Sequence, residues 1–120
     1  MDDVTTNVKK QKILRFLKEV RTRINFGSFI FLHRCTDSLA NLGLTVAQAK
    51  QEIINLRLKN YDRGPTPDHI NDGTDVWEFG KIINGKMTYI KLKIHPERGC
   101  ICMSFKESKG PFTLPFIHDE

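Results

Sequence analysis

Apolar residues along this chain recur first at helical spacing and later at strand spacing. Ile13, Leu17, Val20 and Ile24 fall at i, i+4, i+7 and i+11, which predicts a helix over about Val8 to Ile24. Phe16 widens its apolar stripe, and Thr5 or Thr6 is a candidate cap. Gly27-Ser28 ends that segment, and Phe29 to Leu32 reads as a short buried strand. A short helical turn is predicted around Asp37–Asn41. Thr45 and Gln48 form a capping box, because each side chain can satisfy an orphan N–H of the other's backbone. That box opens a helix reaching Leu56 or Leu58, with Val46, Ala49, Ile53 and Leu56 inward.

The pattern then changes. Lys59 to Asp75 carries two prolines, two glycines and several acidic residues and reads as a long loop. It exceeds the ~12–15 residues above which an unstructured loop in a compact domain is usually functional or disordered. Three strands are predicted beyond it, over about Val76–Ile83, Lys86–Ile94 and Cys100–Lys106, with Phe112–Phe116 as a short edge segment. The expected fold class is α+β: two N-terminal helices with a short strand between, packed on a C-terminal antiparallel sheet. Residues 1–120 are expected to form a single domain.

Asn84-Gly85 is a two-residue hairpin signal for a type I′ turn, and it fixes the register. Phe79 then faces Ile90 and Trp77 faces Leu92, on the core side. Glu78 faces Lys91, and Gly80 faces Tyr89, on the other. For the last strand, pairing Ile94, Leu92 and Ile90 with Ile101, Met103 and Phe105 gathers the apolar residues on one side. That register sets Tyr89 against Lys106 and Lys91 against Ser104.

Composition adds constraints. At 120 residues with 39% hydrophobic content, the chain suits a soluble domain. It has no apolar run of membrane-spanning length. No apolar stretch follows the charged N-terminus, so a cytoplasmic location and no membrane partner are expected. Three cysteines without CxxC spacing, and four scattered histidines, predict neither a disulfide framework nor a metal site. Cys100 and Cys102 are expected as half-buried thiols, and His69, His95 and His118 as solvated. The net charge of +5 is concentrated in residues 1–25 and 86–110. Two basic regions suit a polyanion, an acidic protein or a simply solvated surface.

The polar face of the predicted sheet carries Glu78, Tyr89, Lys91, Ser104 and Lys106. Metal-free RNA cleavage needs a base for the 2′-OH, an acid for the 5′ oxygen and cations for the phosphate. Glu78 is a candidate base, Tyr89 a candidate acid or hydrogen-bond donor, and Lys91 and Lys106 are candidate phosphate ligands. Lysines beside Tyr89 are expected to lower its pKa. The same residues also fit an exposed structural face, with Glu78–Lys91 an ordinary cross-strand pair and Tyr89 covering Gly80. Arg34, at the end of the first strand, is a candidate RNA phosphate ligand or a packed or ion-paired residue.

NYDRGPTPDH, VWEFGKIINGKMTYIKLKI, CICMSF and PFTLPF, with RFLKEV and LGLT upstream, resemble the MqsR (motility quorum-sensing regulator) family of type II toxins. The resemblance covers nearly the whole chain. It implies a RelE-like, microbial-ribonuclease-type fold and a ribosome-independent mRNA endonuclease that uses no metal or cofactor. It also implies a cognate antitoxin protein as partner. The family's Tyr on the middle strand matches Tyr89, and its Lys after Ser-Phe matches Lys106. Where well-known members have Gln after the Trp, this chain has Glu78, as a true base or an acceptor. The family's loop Lys has Arg63 as its nearest substitute here. A non-catalytic RNA- or protein-binding module on the same fold is the alternative, and an interaction protein whose basic helix docks an acidic partner is another.

Overall fold

A computed structural model describes residues 3–119. Helix α1 runs from Asp3 to Asn25, so it begins several residues before the apolar stripe and takes in Thr5 and Thr6 as helical residues. Its buried side is Ile13, Phe16, Leu17 and Val20, as the spacing predicts, with Ile24 partly buried. Strand β1 (Phe29–Phe31) leads into α2 (Cys35–Asn41), a full short helix rather than a turn. Helix α3 (Val46–Ile54) starts with the expected reciprocal capping box. Asn55 ends it before Leu56, and Val46 is exposed rather than inward.

The sheet has five strands in the order β1-β5-β4-β3-β2. They are completed by β2 (Tyr61–Pro67), β3 (Asp75–Ile83), β4 (Lys86–His95) and β5 (Gly99–Glu107). The chain is α+β as predicted, with two additions. First, β1 pairs parallel with β5. Second, much of the presumed loop is structure: a 3-10 turn at Leu58–Asn60, then β2 against β3. The prolines hid this strand. As an edge strand it tolerates Pro65 and Pro67, which lack an N–H, and its pairing is twice interrupted. Phe112–Phe116 forms no strand.

The β3–β4 register is the predicted one from Ile83↔Lys86 to Val76↔Lys93. Asn84 and Gly85 both have positive φ (51° and 77°), the turn backbone that their sequence favours. The turn docks on the helices, where Asn84 Nδ2 donates to the Leu42 carbonyl at 2.8 Å.

The β4–β5 register holds only from Thr88↔Glu107 to Lys91↔Ser104. A shift then sets Leu92 opposite Cys102, so Met103 is the extra residue of a bulge. Cys100 and Cys102 therefore enter the main core, fully buried, and Ile101 and Met103 turn to the opposite face. There they form a second small core with Val76 and part of Leu32. The expectation of one apolar face failed because β5 is apolar on both sides.

Candidate functional site

Where β3, β4 and β5 run side by side, strand alternation sends Glu78, Tyr89, Lys91, Ser104 and Lys106 to the face away from the main core. Glu78 lies opposite Lys91 and then Ser104, and Gly80 opposite Tyr89 and then Lys106. Both predicted rows are present.

At the centre is Glu78, which is 7% exposed. The Tyr89 hydroxyl donates to its Oε1 at 2.5 Å, and Arg63 Nε meets its Oε2 at 3.0 Å. Arg63 reaches it from β2, where it pairs with Glu78, so this is a strand residue and not a loop residue. The outer part of the Arg63 side chain remains exposed.

The Tyr89 pKa is raised, not lowered. Burial is the largest cause, followed by the hydrogen bond and charge of Glu78; Arg63 pulls the other way. The lowering expected from Lys91 and Lys106 does not decide it, because burial and the close Glu78 carboxylate set the direction. The phenol therefore stays protonated through the neutral range, as a donor.

Lys91 is half-buried and Lys106 exposed, and neither makes an ion pair among the described residues. Arg34 precedes α2 and donates from Nε to the Met103 carbonyl at 2.6 Å. This bond fixes it on β5 one residue before Ser104, and it too has no carboxylate partner among the described residues.

Two walls flank these residues, and sequence reasoning missed both. One is the segment after β5. The buried Asp62 accepts from the Thr113 N–H at 2.5 Å and the Leu114 N–H at 3.1 Å. These bonds hold Phe112 over Gly80, where an added Cβ would lie 2.8 Å from two ring atoms. Phe112 and the Met87 methyl, rather than Tyr89, are the nearest groups above that glycine, and the Phe112 ring centre is 6.4 Å from that of Tyr89. The available signal was PFTLPF itself, an aromatic segment whose prolines unsuit it to a strand.

The other wall is the connection from Asp68 to Thr74. Lys93, which strand alternation puts on the same side of β4 as Lys91, is nonetheless 4% exposed and donates to Asp68 at 2.8 Å and Asp72 at 3.1 Å. Lys93 keeps a raised pKa although burial opposes it, because both carboxylates hold its proton. Hydrogen bonds from Lys93 and neighbouring groups lower Asp68, and those from Thr74 chiefly lower Asp72. Lys93 is thus a structural clamp. His95 is likewise structural, its Nδ1 accepting the Glu97 and Arg98 N–H groups at 3.1 and 3.2 Å.

Among the described residues, no cluster of His, Cys, Asp and Glu is arranged to hold a metal ion, and no helix is long and apolar enough to cross a membrane. The face offers a protonated phenol, a carboxylate bonded to it, and cations free to meet an anion. No protein-family model matches this chain, and no curated protein matches it either.

Proposed function

We propose that this face binds and cleaves RNA, and that the chain is a metal-independent mRNA endonuclease, the toxin of an MqsR-type toxin–antitoxin pair on a RelE-like fold. Its partners would be mRNA and a cognate antitoxin protein, acting in the cytoplasm. The observation that carries the reading is the Tyr89–Glu78 hydrogen bond set among the unpaired cations Lys91 and Lys106.

The chemistry follows from those groups. Glu78 takes the proton of the 2′-OH, and the 2′ oxygen forms a bond to phosphorus. Lys91, Lys106 and the exposed part of Arg63 meet the charge that grows on the phosphoryl oxygens. The bond from phosphorus to the 5′ oxygen breaks, and that oxygen takes the phenolic proton of Tyr89. The proton gained by Glu78 passes to the phenolate along the existing hydrogen bond. Both groups are restored, and the products are a 2′,3′-cyclic phosphate and a 5′-hydroxyl.

One observation favours a second reading. Both oxygens of Glu78 are already engaged, by Tyr89 and Arg63, and such a closed arrangement suits a non-catalytic RNA- or protein-binding module. A single 2′-deoxynucleotide placed at a mapped cleavage site separates the two. Cleavage there stops if the 2′-OH is the nucleophile, and binding alone is unaffected. Continued cleavage at the deoxynucleotide contradicts the mechanism.

A further inference from the structure

A groove of about 230 Å³ opens between β5 and the connection from Asp68 to Thr74. Its apolar lining is Leu32, Ile70, Ile101 and Met103, and Arg34 and Arg98 carry charge at its border. Ile70 is 62% exposed, an apolar side chain left facing solvent. Neither arginine is paired with a carboxylate among the described residues. The outer wall is held by the buried Lys93–Asp68 pair, so this groove is built rather than left by a loose loop.

The groove continues the polar face. Lys93 follows Lys91 on the same side of β4, two residues or about 7 Å along the strand. On β5, Met103 precedes Ser104, which pairs with Lys91. A phosphate at Lys91 therefore has an apolar slot with cationic borders within one nucleotide's reach.

Single-stranded RNA is read by bases splayed out of the stack, packed on apolar, aromatic or guanidinium surfaces and hydrogen-bonded at their edges. We propose that this groove is a nucleobase subsite, taking the base of a nucleotide that adjoins the scissile phosphate. Ile101, Met103 and Leu32 form its floor. The free guanidinium N–H groups of Arg34 and Arg98 face a base edge that presents acceptors. The subsite gives the cleavage reaction a base preference that the phosphate-binding groups do not supply. It rests on the RNA reading above.

The test uses the full chain, its Arg98→Ala and Ile70→Ser variants, and short single-stranded RNAs with an abasic nucleotide at each position in turn. Both substitutions are at exposed residues, so folding is preserved. In the unsubstituted protein, the abasic change at one position adjoining the cleaved bond should lower kcat/KM roughly tenfold or more, the scale of a lost base contact. Each variant should show a comparable loss on intact RNA and no further loss at that position. Variants that keep the full abasic penalty overturn the subsite, as does an unsubstituted protein indifferent to every adjoining base. Absence of any RNA cleavage removes the catalytic reading separately. The subsite is then read by hydrogen exchange with a 2′-O-methyl RNA. Protection of residues 68–74 that Arg98→Ala abolishes supports it, and no protection overturns it.

Discussion

Tyr89 and Glu78 meet diagonally across two strands: Tyr89 lies opposite Gly80, Glu78 lies opposite Lys91, and the phenol reaches the carboxylate at 2.5 Å. A diagonal contact of this kind is within reach of an aromatic side chain. If the pair works as one proton path, Tyr89→Phe and Glu78→Gln should each reduce turnover by roughly 10²-fold or more. The double variant should lose less than the product of the two losses. Lys106→Ala should lower turnover on the same scale. Its folding cost should stay within about 0.5 kcal/mol, because the residue is exposed. Tyr89→Phe should cost more, about 1.5 kcal/mol or above, because it removes a half-buried hydrogen bond to a charged group. Steady-state kinetics with denaturant unfolding checks both quantities.

Phe112 and Asp62 shape the setting of Tyr89 without touching a reacting atom in the proposed scheme. Loosening that wall by Phe112→Ala or Asp62→Ala should expose the phenol and bring its pKa down toward the ordinary ~10. Spectrophotometric titration in a Tyr61→Phe background isolates Tyr89, since these are the chain's two tyrosines. The sign for stability follows from the raised folded pKa: the contribution is complete below about pH 10 and falls as pH rises toward the folded value. Titration of Tyr89 unchanged in both variants would show that the wall does not set its environment.

The Lys93 clamp should dominate the stability of the second wall. Lys93→Met leaves Asp68 buried without its cation and should cost about 3–5 kcal/mol. The two carboxyls have depressed folded pKa values, so their contribution is present above about pH 3.9 and is lost as pH falls through the lowered values. The raised Lys93 contributes fully below about pH 10.4 and loses that contribution as pH rises through its folded value. Hydrogen exchange of residues 68–74 at acidic pH reads the first limb. Denaturant midpoints of Lys93→Met, equal to those of the unsubstituted chain, would contradict the clamp.

Trp77 is the contrast on the core side. It is 9% exposed and stacks on Phe16, with ring centres 4.5 Å apart. Trp77→Ala should cost ~3–5 kcal/mol of stability. Any loss of RNA cleavage should follow the unfolded fraction, which thermal denaturation and activity measured side by side will show.

Much of the sheet was legible because alternation and an Asn-Gly turn leave little freedom in register. Glu78, Tyr89 and Lys91 fell into place from those two signals, and Lys106 from matching the apolar residues of β5 to those of β4, a register that holds as far as Lys91↔Ser104. The reading failed where local pattern gives way to tertiary context. Pro65 and Pro67 disguised an edge strand, and the bulge at Met103 exchanged the faces of Ile101 and Cys102. The sign of the Tyr89 shift depended on burial and on the distance to Glu78, and neither is visible in spacing. Asp62 and Thr113 lie 51 residues apart in number and meet only through the folded tail, which sets Phe112 over Gly80, so no local motif could join them.

The central claim is that the side chains of this face cleave RNA through the 2′-OH without a metal ion. Purified protein incubated with RNA in EDTA, followed by chemical mapping of the new ends, tests it most directly. Cleavage that persists in EDTA and leaves 2′,3′-cyclic phosphate or 3′-phosphate ends is the expected result, with Tyr89→Phe strongly impaired in the same assay. Activity lost in EDTA and restored by magnesium, with the fold intact, would contradict it.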